Sequence, residues 1–257
     1  MVELHHRVSG IDGPLVVLLH GMGATGEVWR PVVDELESRW RGRVLVPDLR
    51  GHGRSPRADS YDFADMAADV ADLVTRFPPV EEFVVVGHSM GGVVALELAS
   101  GRHGRLPRSV GAVGVKVTWT AAELERAREL ASRPPRLFTR REEAGAWFLR
   151  LTGLDGLVDP SGWPELVDSG VVEGEEGWRV AQDPRTLAVG APAMADLVDG
   201  ARCPVVLARG ETDPMVSTEE LSGFGPVHLF TGAGHNVMVE SPVTFGRWLA
   251  GDLLSIG

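Results

Sequence analysis

The sequence predicts an α/β fold, a doubly wound and mostly parallel β-sheet with an inserted helical cap. Short apolar runs alternate with stretches whose apolar residues recur at helical spacing, which is the pattern of strand–helix–strand units. The alternation breaks between about Trp119 and Gly200, where helical pieces occur and no alternating strand is predicted. We therefore expect a core of residues 1–118 and 201–257, with a helical cap over residues 119–200.

The core strands are predicted from the apolar runs in chain order. Between the third and fourth runs, a helix is expected from about Asp62, because apolar side chains recur on one face, and Pro78-Pro79 ends it. The predicted strands are Leu4–Val8 at an edge, Leu15–Leu19, Val44–Pro47, Phe83–Val86, Val110–Val115, Cys203–Ala208 and Val227–Phe230.

Further helices are predicted behind the fourth strand, in the cap and near the C-terminus. The last of them begins at Pro242, because Ser241 followed by proline is typical of an N-cap and a first helical residue. Its apolar residues share one face and should pack on the sheet. The other predicted helical stretches are Gly92–Ala99, Ala121–Ala131 and Arg141–Leu151.

Composition narrows the class of protein. The chain has 257 residues, which suits one domain with an insertion, and its formal net charge is −11. Nucleic acid is disfavoured as a partner, because phosphate binding needs a basic surface. No apolar run approaches membrane-spanning length and no leader pattern opens the chain, so we expect a cytoplasmic protein without membrane contact. The one cysteine, Cys203, is expected to be a small core residue.

The most informative motif is Gly87-His88-Ser89-Met90-Gly91. It reads G-x-S-x-G, follows an apolar strand and precedes a helical stretch. A strand, a sharp turn with serine at its tip and a helix are the context of a nucleophile elbow. Small residues on both sides let the backbone turn while the serine hydroxyl stays free. The alternative is a glycine-rich turn with an incidental serine; the flanking strand and helix favour the nucleophile.

A serine hydroxyl needs a base, and the base needs an orienting acid. Asp213 lies in the loop after one predicted strand, and His235 lies in the loop after the next. Parallel sheets build sites at the carboxyl ends of their strands, so Ser89, Asp213 and His235 should meet at one rim. Glu211 is the nearby rival for the acid.

The anionic oxygen of a tetrahedral intermediate also needs hydrogen-bond donors. His20-Gly21-Met22-Gly23 follows the strand Leu15–Leu19, and its glycines allow close approach to a substrate. We expect the backbone N–H groups of Met22 and Met90 to form this oxyanion hole. Lys116, the one lysine of the chain, ends an apolar run near the same rim. A solvated charge at the strand end is the favoured interpretation of that lysine.

These motifs resemble the α/β-hydrolase superfamily, in its esterase, lactonase and perhydrolase-like group. The resemblance covers nearly the whole chain except its middle section, and it includes the loop Asp48–Ser55, where Arg50 and His52 are expected to be structural. A serine nucleophile argues against the epoxide hydrolases and haloalkane dehalogenases, which use aspartate at that place. The middle section resembles the helical cap of this family.

The resemblance implies a hydrolase for a small-molecule substrate, and we expect a small-to-medium carboxylic ester or lactone whose apolar character is suggested by the tryptophans of the cap. The same triad also serves thioester hydrolysis, C–C bond hydrolysis of ring-opened diketones, perhydrolysis and acyl transfer, and a ligand receptor with this fold is the alternative outside enzymes. No metal or organic cofactor is implied. Tryptophans of the cap are candidates for an apolar substrate wall or for the cap's own core: Trp119, Trp147, Trp163 and Trp178.

Overall fold

The computed structural model describes residues 1–77 and 82–254, and Pro78-Pro79, the predicted helix end, lies outside them. Within these residues the strands form one seven-stranded sheet and one separate hairpin. The strands are β1 (His6–Ser9), β2 (Leu15–Leu19), β3 (Arg43–Pro47), β4 (Phe83–His88), β5 (Ser109–Val113), β6 (Val171–Gly174), β7 (Gly177–Val180), β8 (Val205–Gly210) and β9 (Val227–Phe230).

The sheet has the order β1-β3-β2-β4-β5-β8-β9, and every neighbouring pair is parallel except β1 with β3. The helices are α1 (Arg30–Arg39), α2 (Phe63–Thr75), α3 (Met90–Ala99), α4 (Ala121–Ala131), α5 (Arg141–Leu151), α6 (Pro164–Gly170), α7 (Met194–Asp199), α8 (Thr218–Ser222), α9 (Val237–Glu240) and α10 (Pro242–Trp248). A 3₁₀ turn covers Gly26–Trp29, another covers Pro184–Val189, and one π-helical turn covers Leu249–Leu253.

Helices cover both faces of the sheet, because the central strands are apolar on both sides. In β2, Val16 and Leu18 belong to the core beneath α1 and α10, whereas Leu15, Val17 and Leu19 belong to the core beneath α2 and α3. All five side chains are fully buried. Burial on both faces is what a parallel sheet with crossover helices requires. The predicted α/β fold class with a mostly parallel sheet is therefore confirmed.

Most predicted elements are present with ends moved by a few residues. The fifth strand stops at Val113 instead of Val115, because Gly114 has a positive φ of 62° and turns the chain away from the sheet. The helix predicted from Asp62 begins at Phe63. Pro242 is the first residue of α10 as predicted, but the Ser241 side chain makes no capping hydrogen bond.

One expectation about residues 119–200 is wrong, because this segment contains the antiparallel hairpin formed by β6 and β7. Its turn is Gly174-Glu175-Glu176-Gly177, and Gly177 has a φ of 126°. The two strands have four residues each and Val171 is their one buried side chain, so they lack the alternating apolar pattern that marks a strand. The acidic and glycine-rich composition therefore concealed the hairpin.

The segment 119–200 is fastened to the sheet by buried polar contacts. The Tyr61 hydroxyl donates to the Asp183 carboxylate at 2.7 Å, and the Asp183 N–H donates to the Gly51 carbonyl at 2.7 Å. The Thr25 and Ser169 hydroxyls lie 2.6 Å apart in a second buried contact. These bonds hold the inserted helices over the carboxyl ends of the strands. Across the described ranges, no helix is long and apolar enough to cross a membrane.

Candidate active site

Ser89 stands at the tip of a strained turn between β4 and α3. Its φ of 51° is the only positive value among the non-glycine residues that the structure describes. The turn leaves no room for side chains beside it: a Cβ on Gly87 would lie 2.0 Å from the Gly91 carbonyl oxygen, and one on Gly91 would lie 2.5 Å from that of Leu19. Such strain persists only where the surrounding structure enforces it, which points to a functional role for the serine.

Asp213 and His235 meet at the carboxyl ends of β8 and β9. The Asp213 Oδ2 atom accepts a hydrogen bond from the His235 Nδ1 atom at 2.9 Å. A carboxylate can only accept, so Nδ1 carries the proton and Nε2 is left as the proton acceptor. The Asp213 side chain is fully buried, and the buried Arg209 guanidinium donates to its backbone carbonyl at 2.9 Å. The imidazole is thus held in the tautomer that a general base requires.

The end of β5 joins this pair to Ser89. The Ser89 N–H donates to the Val113 carbonyl at 2.7 Å. A Cβ on the next residue, Gly114, would lie 3.1 Å from Asp213 Oδ2 and 3.3 Å from the His235 ring. Ser89, Asp213 and His235 therefore lie at one rim, as their places after the strands predict. Among the described residues no hydrogen bond joins the Ser89 hydroxyl to the His235 ring, and such contacts often tighten only when substrate binds.

Glu211 is not brought to this pair. Its carboxylate is exposed and accepts a hydrogen bond from the Gly232 N–H at 2.8 Å. The structure thus pairs His235 with Asp213 rather than with this rival.

Two residues of the cavity wall beside Ser89, Met22 and Met90, have backbone N–H groups that could donate to an oxyanion. Within residues 1–77 and 82–254, neither the Met22 N–H nor the Met90 N–H has a hydrogen-bond acceptor. Met90 is the first residue of α3, so its N–H also lies at the positive end of the helix dipole. These two positions agree with the expected oxyanion hole, which remains a prediction.

The loop that carries Met22 is fixed by the buried His20. Its Nε2 atom accepts the Leu49 N–H at 2.9 Å, and its Nδ1 atom donates to the Gly21 carbonyl at 2.8 Å. Burial lowers the pKa of His20 to about 4 and that of the neighbouring His52 to about 3. Arg50 is also buried, and its Nε atom donates to Asp69 at 2.6 Å. The contacts of His52 and Arg50 are thus structural.

A cavity of about 650 Å³ opens beside Ser89. One wall is formed by Met22, Phe63, Met90, Val93 and Met215 of the core. The rest of the lining comes mainly from α4 and from residues 187–192. Most of this lining is apolar, and the volume is that of a pocket for a small organic molecule.

The sequence leaves the four tryptophans of the segment as candidates for a substrate wall or for the segment's own core, and one of the four lies in the cavity wall. Trp119 lies in its wall. Trp147 instead stacks with the guanidinium groups of Arg136 and Arg150. Trp163 and Trp178 pack against the core cluster beneath α1 and α10. Regular spacing does not reveal which face of a short, irregular segment points inward, so the sequence did not distinguish them.

A scan against family models identifies the chain directly. Residues 16–247 match the model described as the alpha/beta hydrolase family. The chain belongs to this family. Because the match spans the candidate nucleophile, acid and base, it covers the whole arrangement described above.

Comparisons with individual proteins give this α/β hydrolase several relatives. It is 43% identical over 90 residues to the magnesium-chelatase 30 kDa subunit of Rhodobacter capsulatus, covering 34% of this chain and 31% of that protein. It is 37% identical over 99 residues to protein phosphatase methylesterase 1 of Bos taurus, covering 36% and 25%. The matches therefore span about a third or less of these curated relatives. The solved structure of E-2-(acetamidomethylene)succinate hydrolase is 25% identical, has a TM-score of 0.78, and covers 98% of this chain and 95% of its own.

Sequence reasoning about this α/β hydrolase missed two residues beside the base. His88 is buried, and its Nε2 atom donates to the His235 carbonyl at 2.9 Å. Asn236 follows His235, and its amide donates to the carbonyls of Thr152 and Gly153 at 3.1 Å each. Both lie inside motifs that are plain in the sequence, but only the folded chain shows what they contact.

A reactive thiol and a metal site are two further features that could give the hydrolase its chemistry. Cys203 is half-buried against the core, and burial raises the pKa of its thiol to about 11, so the thiol stays protonated. In the described part of the chain, no group of three histidine, cysteine, aspartate or glutamate side chains could hold a metal ion.

Lys116 is not the solvated strand-end charge that the sequence favours. It lies in the cavity wall and pairs with Glu123.

Proposed function

We propose that this α/β hydrolase cleaves a small-to-medium, largely apolar carboxylic ester or lactone through an acyl-enzyme on Ser89. The observation that carries the proposal is the placement of Ser89 in the cavity wall, at the same rim as the hydrogen-bonded Asp213–His235 pair. A serine, a base and a buried acid beside an apolar cavity are the parts that acyl transfer requires.

Each residue has a defined step in this mechanism. The Ser89 hydroxyl attacks the ester carbonyl while His235 Nε2 accepts its proton. Asp213 holds the imidazole in place and stabilises its charged form. The Met22 and Met90 N–H groups bind the oxygen that becomes negative, and His235 then protonates the leaving alkoxide. Water, activated by the same imidazole, hydrolyses the acyl-enzyme and frees Ser89.

The cavity supports a substrate of limited size and polarity. Its volume of about 650 Å³ lies within the range of about 300–1,000 Å³ usual for small ligands. Apolar side chains of α4, of residues 187–192 and of the core line it. We propose that residues 119–200 act as a cap that sets substrate choice without supplying a reacting group.

The comparisons support hydrolysis and leave the bond to be tested. One relative is named a methylesterase and one solved structure a hydrolase, which agrees with attack on an acyl carbon. Because the sequence matches are short, the ester or lactone specificity of this chain rests on its own cavity and candidate triad.

Pre-steady-state hydrolysis of p-nitrophenyl butyrate tests the proposal. We expect a burst of about one p-nitrophenol per protein, followed by slower steady turnover, because acylation by an activated ester is faster than deacylation. The Ser89→Ala variant should lose both phases, with a loss of order 10⁶, as when the nucleophilic serine of subtilisin is removed. A single slow turnover in the native protein, unchanged in the variant, would indicate a ligand receptor instead.

A further inference from the structure

One corner of the apolar cavity is polar. Lys116 lies in the cavity wall, three residues beyond the end of β5. This strand lies between β4, which leads to the nucleophile turn, and β8, which leads to the Asp213 loop. The Lys116 side chain is only 18% exposed. A lysine held in a mainly apolar wall loses hydration, so it needs hydrogen-bonding partners from the protein or from a molecule in the cavity.

The ammonium group is held from two sides by the start of the cap. It forms an ion pair with the Glu123 carboxylate, and it lies 4.7 Å from the centre of the Trp119 ring. The Trp119 indole N–H donates to the Lys116 carbonyl at 3.2 Å, so the ring is fixed under the side chain. A cation over an indole face is itself stabilising.

Glu123 cannot easily leave this arrangement. Its other carboxylate oxygen accepts the Thr120 N–H and the Thr120 hydroxyl, each at 2.9 Å, in a capping box at the start of α4. The hydrogen bond from Lys116 is the largest of the effects that lower the pKa of Glu123 to about 2, so this carboxyl group is charged at neutral pH.

The charges around Lys116 disfavour an anionic ligand. Glu123 already balances the ammonium, and Glu220 is close enough that Lys116 adds to the lowering of its pKa, after the hydrogen bonds from Ser217 and Thr118. The other cations of the wall, Arg126 and Arg128, are exposed and paired with carboxylates of α4 itself. A substrate carboxylate at Lys116 would therefore lie close to the negative charge of Glu123, with that of Glu220 nearby.

The ammonium still has donor capacity. It has three N–H donors, and among the described residues its one hydrogen-bond acceptor is Glu123, with the Trp119 face occupying a second direction. A neutral acceptor such as a ketone, ether or hydroxyl oxygen can take the remaining donor without an unpaired charge. An apolar group would leave that donor unpaired.

We propose that Lys116, fixed by Glu123 and Trp119, is a specificity-determining residue that binds a neutral oxygen acceptor on the substrate, remote from the scissile carbonyl. The substrate class is then a mainly apolar ester or lactone that carries a ketone, ether or hydroxyl oxygen. This inference rests on the proposed function and deepens it.

Matched ester pairs test the proposal. Straight-chain p-nitrophenyl esters with a ketone at the fourth, fifth or sixth carbon are compared with plain esters of equal length, and the readout is the ratio of the two kcat/KM values. In Lys116→Met, which keeps the side-chain length over Trp119, the ratio for the best-placed ketone should fall about tenfold or more, because a charge-assisted hydrogen bond is lost. Arg133→Met is the control, since Arg133 is an exposed cation directly after α4 and outside the cavity wall.

The Glu123→Gln variant tests whether the Glu123 carboxylate disfavours anionic substrates at Lys116. Glutamine can keep the capping box, but it removes one of the two carboxylates that face Lys116. The kcat/KM of esters ending in a carboxylate should then rise relative to that of plain esters of equal length, by about fivefold or more. No gain would contradict the claim that Glu123 sets the preference for a neutral acceptor.

Binding measurements distinguish a failure of this inference from a failure of the proposed function. In the Ser89→Ala background the same ester pairs are titrated by calorimetry, so no turnover is needed, and the ratio of Kd values should again change with Lys116→Met. If the ratio changes while native protein shows no hydrolysis, the proposed function fails and the polar subsite stands. If the ratio is the same in Lys116→Met and Arg133→Met for every ketone position, the subsite is overturned.

Discussion

The His88 side chain donates a hydrogen bond to the His235 backbone, with its Nε2 atom 2.9 Å from the His235 carbonyl oxygen, and the centres of the two rings lie 4.5 Å apart. Burial lowers the pKa of His88 well below its usual range, and the neighbouring His235 adds to that shift. His88 is therefore neutral at working pH and places no charge beside the base. We interpret it as a positioning residue for the His235 loop.

Replacing His88 tests this relationship. His88→Phe keeps an aromatic ring but loses the donor to His235, so kcat should fall roughly tenfold or more through misplacement of the base, with KM little changed. His88→Gln offers an amide donor near the same place and should recover part of the rate. Equal losses in both variants, in step with their thermal stability, would show that His88 only fills space.

The buried histidines predict a stability that depends on pH. Burial lowers the pKa of His20 to about 4 and that of His52 to about 3, whereas an unfolded histidine titrates near about 6.5. The unfolded chain therefore binds more protons below that pH, so stability is full above about 6.5 and falls as the solution is acidified. Each such histidine should lower the free energy of unfolding by about 2 kcal/mol when the pH is reduced to about 5.

Urea unfolding between pH 7.5 and about 5 measures this slope. His52→Phe should reduce the slope, because one group that takes up a proton on unfolding is gone. His5→Gln, at a half-exposed position, is the control and should leave it unchanged. An identical slope in the native protein and His52→Phe would contradict this expectation.

Asp213→Asn should damage catalysis far more than Glu211→Gln. Asparagine keeps the shape but favours the wrong imidazole tautomer, which in the trypsin example costs about 10⁴ in turnover. Glu211 contacts the Gly232 N–H instead, so its amide variant should stay close to native activity. The comparison is made by kcat/KM on one ester. A greater loss at Glu211 would reverse the assignment of the acid.

Substrate preference should respond to Trp119 and not to Trp147. Trp119 lies in the cavity wall, whereas Trp147 stacks with arginines outside it. Over a series of ester lengths, Trp119→Ala should change the relative kcat/KM values by about 1–3 kcal/mol, the usual value of small changes in an apolar pocket. Trp147→Ala should keep the native profile. Matching changes in both variants would mean that the effect is transmitted through cap stability.

The candidate triad was predictable because each residue follows a strand within a local motif. The G-x-S-x-G turn is so confined at Gly87 and Gly91 that its sequence nearly dictates its shape. The loops of Asp213 and His235 follow strands of the sheet directly, and the apolar runs that form those strands can be recognised in the sequence.

The cap was less predictable, because its structure depends on contacts between distant residues. The hairpin β6–β7 has strands of four residues and is mostly half-buried, so it has no apolar alternation to mark it. Of the four tryptophans in residues 119–200, Trp119 is the one that lies in the cavity wall, where its indole donates to the Lys116 carbonyl. The contact between His88 and His235 joins residues 147 positions apart, which no local pattern encodes.

Mass spectrometry of a trapped acyl-enzyme tests the central claim, acyl transfer to Ser89, most directly. The native protein is mixed with p-nitrophenyl butyrate, quenched in acid within the burst phase, digested and mapped. We expect one butyryl group per protein on the peptide that carries Ser89, and none in Ser89→Ala or at any other serine. A butyryl group on a different residue, or steady hydrolysis with no acyl adduct and undiminished in Ser89→Ala, would contradict that claim.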